Sequence, residues 1–397
     1  MIRHEINIVF SNRINRLVLL FLLVIAVVLS IFAVWSVSYV DKDGITHNGL
    51  FAARQLTEAK AEYAGKLNSD IFEDIVNTDK RIKNEYGNKI PENIYADNMQ
   101  KYMDIKDFMV STISYGGDID YTRFDALDID MARNMYAIRD DNIVHLINEY
   151  GTTDGKTEFL KKQYSKLVTP FYYAPADSWI TMGLYATTYA IILIISISFI
   201  TSGIFSEDFK LKAESVFFST KLGRSRGTKI KIVTGLFMAT IIYWGAMLIL
   251  SIISFAFMGV SGANSPIQIE YSYCMYNYTF LERYFVITLA GYVGSLLSSV
   301  LTMLVSAKTH SPLISLCVPM ILFVVSPFIG RVLPFDGFFN ITPDQLINVY
   351  NCIKIPLLYQ VLGNVVMQIP MIIVMYSIIV IITIPFIYLT FRKCCQN

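Results

Sequence analysis

Charge is missing from the most apolar parts of this 397-residue chain, although Asp, Glu, Lys and Arg make up 16% of it. Six long runs contain none of these residues and no His. Runs of about 18 or more apolar residues predict transmembrane helices. The predicted spans are 17–40, 180–204, 232–258, 284–306, 312–329 and 366–391. Ion-coupled transporters, channels and intramembrane enzymes usually carry ionisable groups at membrane depth, so this absence argues against those classes.

The sequence also lacks the common signatures of catalysis. It has no GxxxxGK[ST] phosphate-binding loop, and the HEIN at residues 4–7 is not the HExxH of zinc proteases. No pattern in it assembles a Ser/His/Asp set or a His/Cys metal site. We therefore expect no enzyme activity and no cofactor bound by this chain. An energy source, if one is used, has to be supplied by another chain.

The charges that are present differ between the two sides of the predicted spans. Segments 1–16, 205–231, 307–311 and 392–397 together hold thirteen Lys/Arg and four Asp/Glu, whereas segment 41–178 has a net charge of −7. Cytoplasmic loops carry the excess of Lys and Arg. The charges therefore predict a multi-pass protein of the plasma (cell) membrane with both termini in the cytoplasm.

Segment 41–178 is polar and long enough to be a domain. Residues 51–67 and 70–83 look helical, and turn signals separate such stretches. The predicted fold class is an all-α polytopic membrane protein with six transmembrane helices plus a mostly α-helical extracellular domain. An acidic run in this domain comprises Asp118, Asp120, Asp125, Asp128 and Asp130. It lacks the spacing of an EF-hand, which favours a solvated acidic face over a Ca²⁺ site.

Two flanking features are predicted to be helical. Residues 1–16 place apolar side chains at helical spacing, which indicates an amphipathic helix in the inner membrane interface or a basic flank that fixes orientation. In the outer connection 330–365, Thr342 followed by Pro343 and Gln345 is typical of a helix start, and we expect a short helix there. The tail 392–397 is predicted to lie in the cytoplasm.

Small residues and prolines mark two of the spans. Gly291, Ser295 and Ser299 recur every four residues in the fourth span, which predicts a face where helices approach closely in lipid. Pro319 and Pro327 are expected to break up the fifth span, because proline removes a helical hydrogen bond.

Two of the five cysteines, Cys274 and Cys352, fall in predicted outer connections. The sequence allows a disulfide between them, and it equally allows two free thiols. A bridge requires the two Cα atoms to come within about 7 Å of each other.

The second and third spans are joined by a basic stretch, residues 205–231, here called the basic segment. It carries seven Lys/Arg against three acids. One interpretation is a loop that only fixes orientation by the positive-inside rule. The other is a docking segment for a partner in the cytoplasm, which would fit a membrane protein without an energy source of its own.

The order of these features resembles the permease subunits of ABC-2 type exporters, in the version with an enlarged domain between the first two spans. In that family the second span runs into a Phe-Ser-Glu-acid-aromatic stretch, here residues 205–209. An apolar coupling helix, a Ser-Thr pair, a Gly-Arg pair and a Lys that opens the third span come after it. The corresponding residues are Val216, Phe217, Phe218, Ser219, Thr220, Gly223, Arg224 and Lys229 or Lys231. This chain has Lys212-Ala213 where many members have Gly-Thr, and Lys221 where many have Pro; its Lys-x-Gly-Arg form is similar to a Gram-positive branch.

The resemblance implies that ATPase subunits, made as separate chains, dock on the basic segment and bind ATP and Mg²⁺ themselves. The implied ATPase-coupling residues are Glu207, Asp208, Val216, Phe217, Phe218 and Arg224. A second permease chain, identical or sister, would complete the transporter among membrane lipids, and no nucleic-acid partner is expected. The implied cargo is apolar or amphipathic: a lipid, a hydrophobic peptide or a drug.

A second hypothesis is a membrane sensor that transports nothing. Its outer domain would bind a peptide or an envelope precursor, and the basic segment would relay the bound state. A neighbouring gene for a P-loop ATPase would favour transport, and one for a histidine kinase without an ATPase would favour sensing.

Overall fold

The computed structural model describes residues 2–87, 89–115, 120–210, 223–332 and 336–393. These residues are mostly helical, with a few short strands, and six of the helical stretches are long and apolar enough to cross a membrane. The chain is therefore a multi-pass membrane protein of the all-α class.

Helix α1 precedes the spans, and five of the spans are single helices. Their bounds are α1 Ile2–Ser11, α2 Arg13–Trp35, α11 Asp177–Lys210, α12 Thr228–Met258, α13 Phe280–Thr309 and α19 Gln368–Lys393. The fifth span is broken into α14 Pro312–Ser315, α15 Cys317–Pro319, a π-helical turn at Met320–Val325 and α16 Ser326–Val332. The break follows Pro319, where proline interrupts the helical hydrogen bonds.

Helices α11 and α13 form the centre of the bundle. In their most apolar stretches 61% and 67% of residues are buried, against 17–39% in the other four spans. They pack along each other, with α19 against α13 and with α2 and α12 against α11. The other four spans therefore leave most residues of these stretches exposed on the outside of the bundle.

The residues between α2 and α11, here called the interspan domain (residues 36–176), form a second helical unit. Its elements are β1 Ser38–Val40, β2 Thr46–Asn48, α3 Leu50–Lys60, β3 Gly65–Lys66, α4 Ser69–Tyr86, α5 Glu92–Asn98, α6 Met103–Ile113, α7 Tyr121–Asp125, α8 Ile129–Arg133, α9 Met135–Tyr150, α10 Asp154–Tyr164 and β4 Tyr172–Tyr173. Its core is aromatic. Where the rings of Phe72, Phe108, Tyr136 and Phe171 contact each other, their centroids are 5.6 to 6.1 Å apart. Helix α4 reaches this core because its buried residues recur at helical spacing.

The end of the bundle that carries this domain is called the domain side, and the end that carries α1 is called the termini side. Two connections on the domain side are ordered against the domain and the spans. The connection after α12 contains a 3₁₀ turn at Ile267–Ile269. The connection before α19 contains α17 Asp336–Phe339, α18 Val349–Cys352 and an antiparallel hairpin, β5 Leu358–Val361 with β6 Asn364–Met367. Near the predicted helix start at Thr342 the chain forms a 3₁₀ turn over Pro343–Leu346 rather than one continuous helix.

The interspan domain is fixed to α11 through one buried lysine. The Nζ atom of Lys60, whose side chain is 6% exposed, lies 2.6 Å from a carboxylate oxygen of Asp104 and 2.6 Å from one of Asp177. Burial disfavours the charged form of Lys60, but the two carboxylates outweigh this effect and raise its pKa. Since Asp177 is the first residue of α11, this cluster ties α3 and α6 to the start of the second span.

Candidate functional site

The structure describes only some of the predicted coupling residues, and these lie on the termini side. Glu207 and Asp208 lie in the last turns of α11, which continues to Lys210. The structure places Arg224 in a π-helical turn at Gly223–Gly227 that leads into α12. The side chain of Arg224, and the predicted coupling residues Val216, Phe217 and Phe218, lie outside the described residues.

A buried lysine connects the two ends of the basic segment. The side chain of Lys231 is 5% exposed. Its Nζ atom lies 3.2 Å from Asp208 Oδ2 and 3.4 Å from Glu5 Oε2, and it donates to the carbonyl oxygen of Ile204 at 3.1 Å. Lys231 therefore joins α12 to α1 and to the end of α11. We call Lys231, Asp208 and Glu5 the charged node.

Aromatic side chains tie the same end of α11 to two further spans. The ring of Phe209 stacks on that of His310, which follows α13, with 3.7 Å between centroids. The ring of Phe205 meets that of Phe391 near the end of α19 at 4.6 Å. Ser306 Oγ, on α13, donates a hydrogen bond of 2.6 Å to the carbonyl oxygen of Ser202, which lies one turn before Phe205 on α11.

Together these contacts make the end of α11 a junction of five elements: α1, α11, α12, α13 and α19. Few-residue junctions between rigid helices can pass a displacement from one helix to the others. Among the described residues, ion pairs, ring contacts and hydrogen bonds connect both ends of the basic segment to the other elements of the junction.

The charged node was only partly foreseen from the sequence. The resemblance implies that Lys229 or Lys231 opens the third span, whereas no pattern in the sequence singles out Glu5. Nothing in the sequence indicated that Lys231 and Glu5 would meet across 226 positions. The signal that could have suggested it was a lysine inside an apolar flank, since a buried ammonium needs carboxylate partners.

The structure places Gly291, Ser295 and Ser299 on the buried side of α13. A Cβ atom at Gly291 would overlap the hydroxyl of Tyr243 and lie 3.1 Å from the Cβ of Ala190. Ser295 and Ser299 are 1% and 0% exposed. At Gly291 the glycine allows α12 and α11 to approach α13 closely.

The disulfide that the sequence allowed is not formed, because Cys274 and Cys352 are both free and buried. Their sulfur atoms face different acceptors: Cys274 Sγ donates to the carbonyl oxygen of Ile353 at 3.4 Å, and Cys352 Sγ to Gln345 Oε1 at 3.2 Å. Burial raises the pKa of each thiol to about 12, which makes both poor nucleophiles.

The acidic run of the interspan domain is used for structure. Asp120 and Asp128 cap the starts of α7 and α8, and Asp125 pairs with Lys83. Asp130 is 3.9 Å from Arg133, while Asp118 lies outside the described residues. Within the described ranges no group of three or more His, Cys, Asp or Glu side chains could hold a metal ion.

Comparison with known proteins gives no relative for this chain: no family model, no curated protein and no solved structure matches it.

Proposed function

We propose that this protein is the membrane-spanning subunit of an ATP-driven exporter of the ABC-2 type. Separate ATPase subunits would dock on the basic segment and would carry the ATP and Mg²⁺. The observation that supports this best is the charged node together with the aromatic contacts of Phe205 and Phe209. The basic segment begins in α11 and ends in α12. On the termini side these two helices contact α1, α13 and α19.

In this proposal the basic segment transmits movement of the ATPase subunits to the membrane spans. Closure of the ATPase pair would displace the basic segment, and the displacement would reach α11 and α12 at the charged node. From there Phe209 and Phe205 pass it to α13 and α19. Rigid helices with a shared junction shift as units, which is the usual way in which a local event moves a whole bundle.

The cargo would be apolar or amphipathic: a lipid, a hydrophobic peptide or a drug. The six predicted spans contain no Asp, Glu, Lys, Arg or His, so a path between them offers no compensating charge to an ionic cargo. Two copies of the chain, or this chain and a sister chain, would flank the path in the plasma membrane. The termini side would face the cytoplasm, in agreement with its excess of Lys and Arg.

Co-purification tests this proposal directly. The chain is extracted from its native membrane with a mild detergent, and the bound subunits are identified by mass spectrometry. We expect a P-loop ATPase in stoichiometric amount, and its loss when Arg224→Glu and Arg226→Glu are introduced together. Recovery of a histidine kinase with no ATPase would contradict the proposal and favour the sensor hypothesis.

A further inference from the structure

A large cavity lies on the domain side, away from the charged node. Its volume is 790 Å³, within the range of about 300–1,000 Å³ that is typical of small-molecule sites. Its walls come from α6, α9, the connection after α12 and the connection after α18. A bound molecule would therefore touch the interspan domain and both later connections at once. We call it the tyrosine cavity, after the rings of Tyr115, Tyr150, Tyr271 and Tyr273 in its wall.

The wall of the tyrosine cavity is held in place before any ligand arrives. The buried Arg139 donates through Nε to the carbonyl oxygen of Ser272 at 2.8 Å. Tyr164 Oη donates to the carbonyl oxygen of Tyr273 at 2.8 Å, and Asn142 Nδ2 donates to Tyr273 Oη at 2.9 Å. Such pre-ordering lowers the entropy that a ligand must lose on binding.

Two charged side chains of the wall, both exposed, form no ion pair with another residue that the structure describes. Lys354 lies over the rings of Tyr271 and Tyr350, at 5.1 and 5.6 Å from their centroids, and Glu149 accepts a hydrogen bond of 3.1 Å from Tyr115 Oη. The ion pairs among the described residues include neither of them. The third charge, Glu270, is already used, by Arg283 at 2.5 Å and by Tyr350 Oη at 3.0 Å.

The cavity thus offers one ammonium, one carboxylate and several aromatic faces. An ammonium selects a carboxylate, a carboxylate selects an amine, and tyrosine rings bury apolar or aromatic groups while keeping a polar edge. A short peptide with free termini and aromatic or apolar side chains has all three complements in one molecule. A lipid anion would match only Lys354, and an organic cation would match only Glu149.

We propose that the tyrosine cavity binds short apolar peptides with free termini, the peptide carboxylate at Lys354 and its amino group at Glu149. This site does not depend on the proposed export function, because its test measures peptide binding to the purified chain in the absence of an ATPase. Success or failure here and in the co-purification experiment are therefore independent results.

The test uses the purified full chain in lipid nanodiscs and a randomised tetrapeptide pool, with bound peptides identified by mass spectrometry after equilibrium dialysis. We expect enrichment of aromatic peptides. The strongest binder is then resynthesised with an amidated carboxyl end, with an acetylated amino end, and with both. Lys354→Met should weaken binding of the free peptide at least tenfold and leave binding of the amidated peptide unaffected. Glu149→Gln should weaken binding of the free peptide at least tenfold and leave binding of the acetylated peptide unaffected.

Lys161→Met and Glu158→Gln serve as controls of matched chemistry, because both side chains are exposed on α10 outside the cavity wall. Lys354→Arg should keep most of the affinity. No enrichment of any peptide, equal binding of free and doubly capped forms, or equal loss in the control variants would overturn the proposal. Binding that survives only for anionic or only for cationic ligands would likewise overturn it and point to a lipid headgroup or an organic cation.

Discussion

At the scale of single residues, close packing between spans of this protein depends on glycine, which has no side chain. Gly291 is in contact with two other spans, while Gly245, on α12, has open space where a Cβ atom would lie. The hydroxyl that a Cβ at Gly291 would strike belongs to Tyr243, which donates to the carbonyl oxygen of Thr288 at 2.8 Å. It cannot move away without losing that bond.

The two glycines should therefore respond in opposite ways to the same change. Gly291→Ala is expected to destabilise the protein by about 1–3 kcal/mol through overpacking. Gly245→Ala should leave stability unchanged or raise it by up to about 1 kcal/mol, because alanine favours the helix. Thermal unfolding of both variants in the same detergent measures the difference. Equal midpoints for the two variants would contradict the packing described for Gly291.

The charged node gives a second prediction at this scale. Lys231→Met leaves Asp208 and Glu5 close together without their cation, and the loss is expected to be about 2 kcal/mol, since both carboxylates are partly exposed. Lys308→Met, at an exposed position in the last turn of α13, is the matched control and should cost less than about 0.5 kcal/mol. Unfolding midpoints test both; similar values would show that the node contributes nothing to stability.

At the scale of elements, the structure shows which parts of the fold a sequence can reveal. The six apolar spans were predictable because lipid demands long uncharged runs. The sequence does not predict the hairpin β5–β6, since only Gln368 separates its second strand from the apolar run of the sixth span. The only local signal was the pair Leu362-Gly363, whose φ angles of 49° and 83° belong to a tight turn.

Contacts between residues that are far apart in the sequence are the second feature that sequence patterns do not predict. Lys60 meets Asp104 across 44 positions and Asp177 across 117, and nothing near Lys60 in the sequence marks it as buried. The same holds for the tyrosine cavity, whose wall comes from four separate segments. Patterns of charge and periodicity describe a helix and its face, but they do not say which faces meet.

Helix α6 carries a prediction about pH. Burial raises the pKa of the Asp107 carboxyl above its ordinary value of 3.8, although Tyr121 Oη donates to it at 2.7 Å. The folded state then favours the protonated form, so this group's contribution to stability is present at acidic pH. It is lost as pH rises from 3.8 through the raised pKa.

Asp107→Asn keeps the shape and an acceptor for Tyr121 but cannot ionise. Its unfolding midpoint should match that of the wild type near pH 4 and exceed it increasingly as the pH is raised to 7. Asp97→Asn, on the exposed face of α5, is the control and should show no such trend. A difference that shrinks as pH rises would show that the folded state prefers the ionised carboxylate instead.

At the scale of the whole molecule, one helix runs from the interspan domain to the termini side of the bundle. Helix α11 starts at the Lys60 cluster under the interspan domain and ends at the charged node on the termini side. It is also one of the two most buried spans. In the proposed exporter α11 would connect the basic segment with the interspan domain.

The most direct test of the proposed function is ATPase stimulation in a complex reconstituted from this chain and its co-purified ATPase. The double variant Phe217→Asp plus Arg224→Glu should reduce cargo-dependent ATPase stimulation by about tenfold or more. Val168→Asp plus Lys162→Glu introduces the same charge change at exposed positions of the interspan domain and should leave stimulation intact. Full stimulation in the first variant, with the chain correctly assembled, would contradict the assignment of the basic segment as the coupling site.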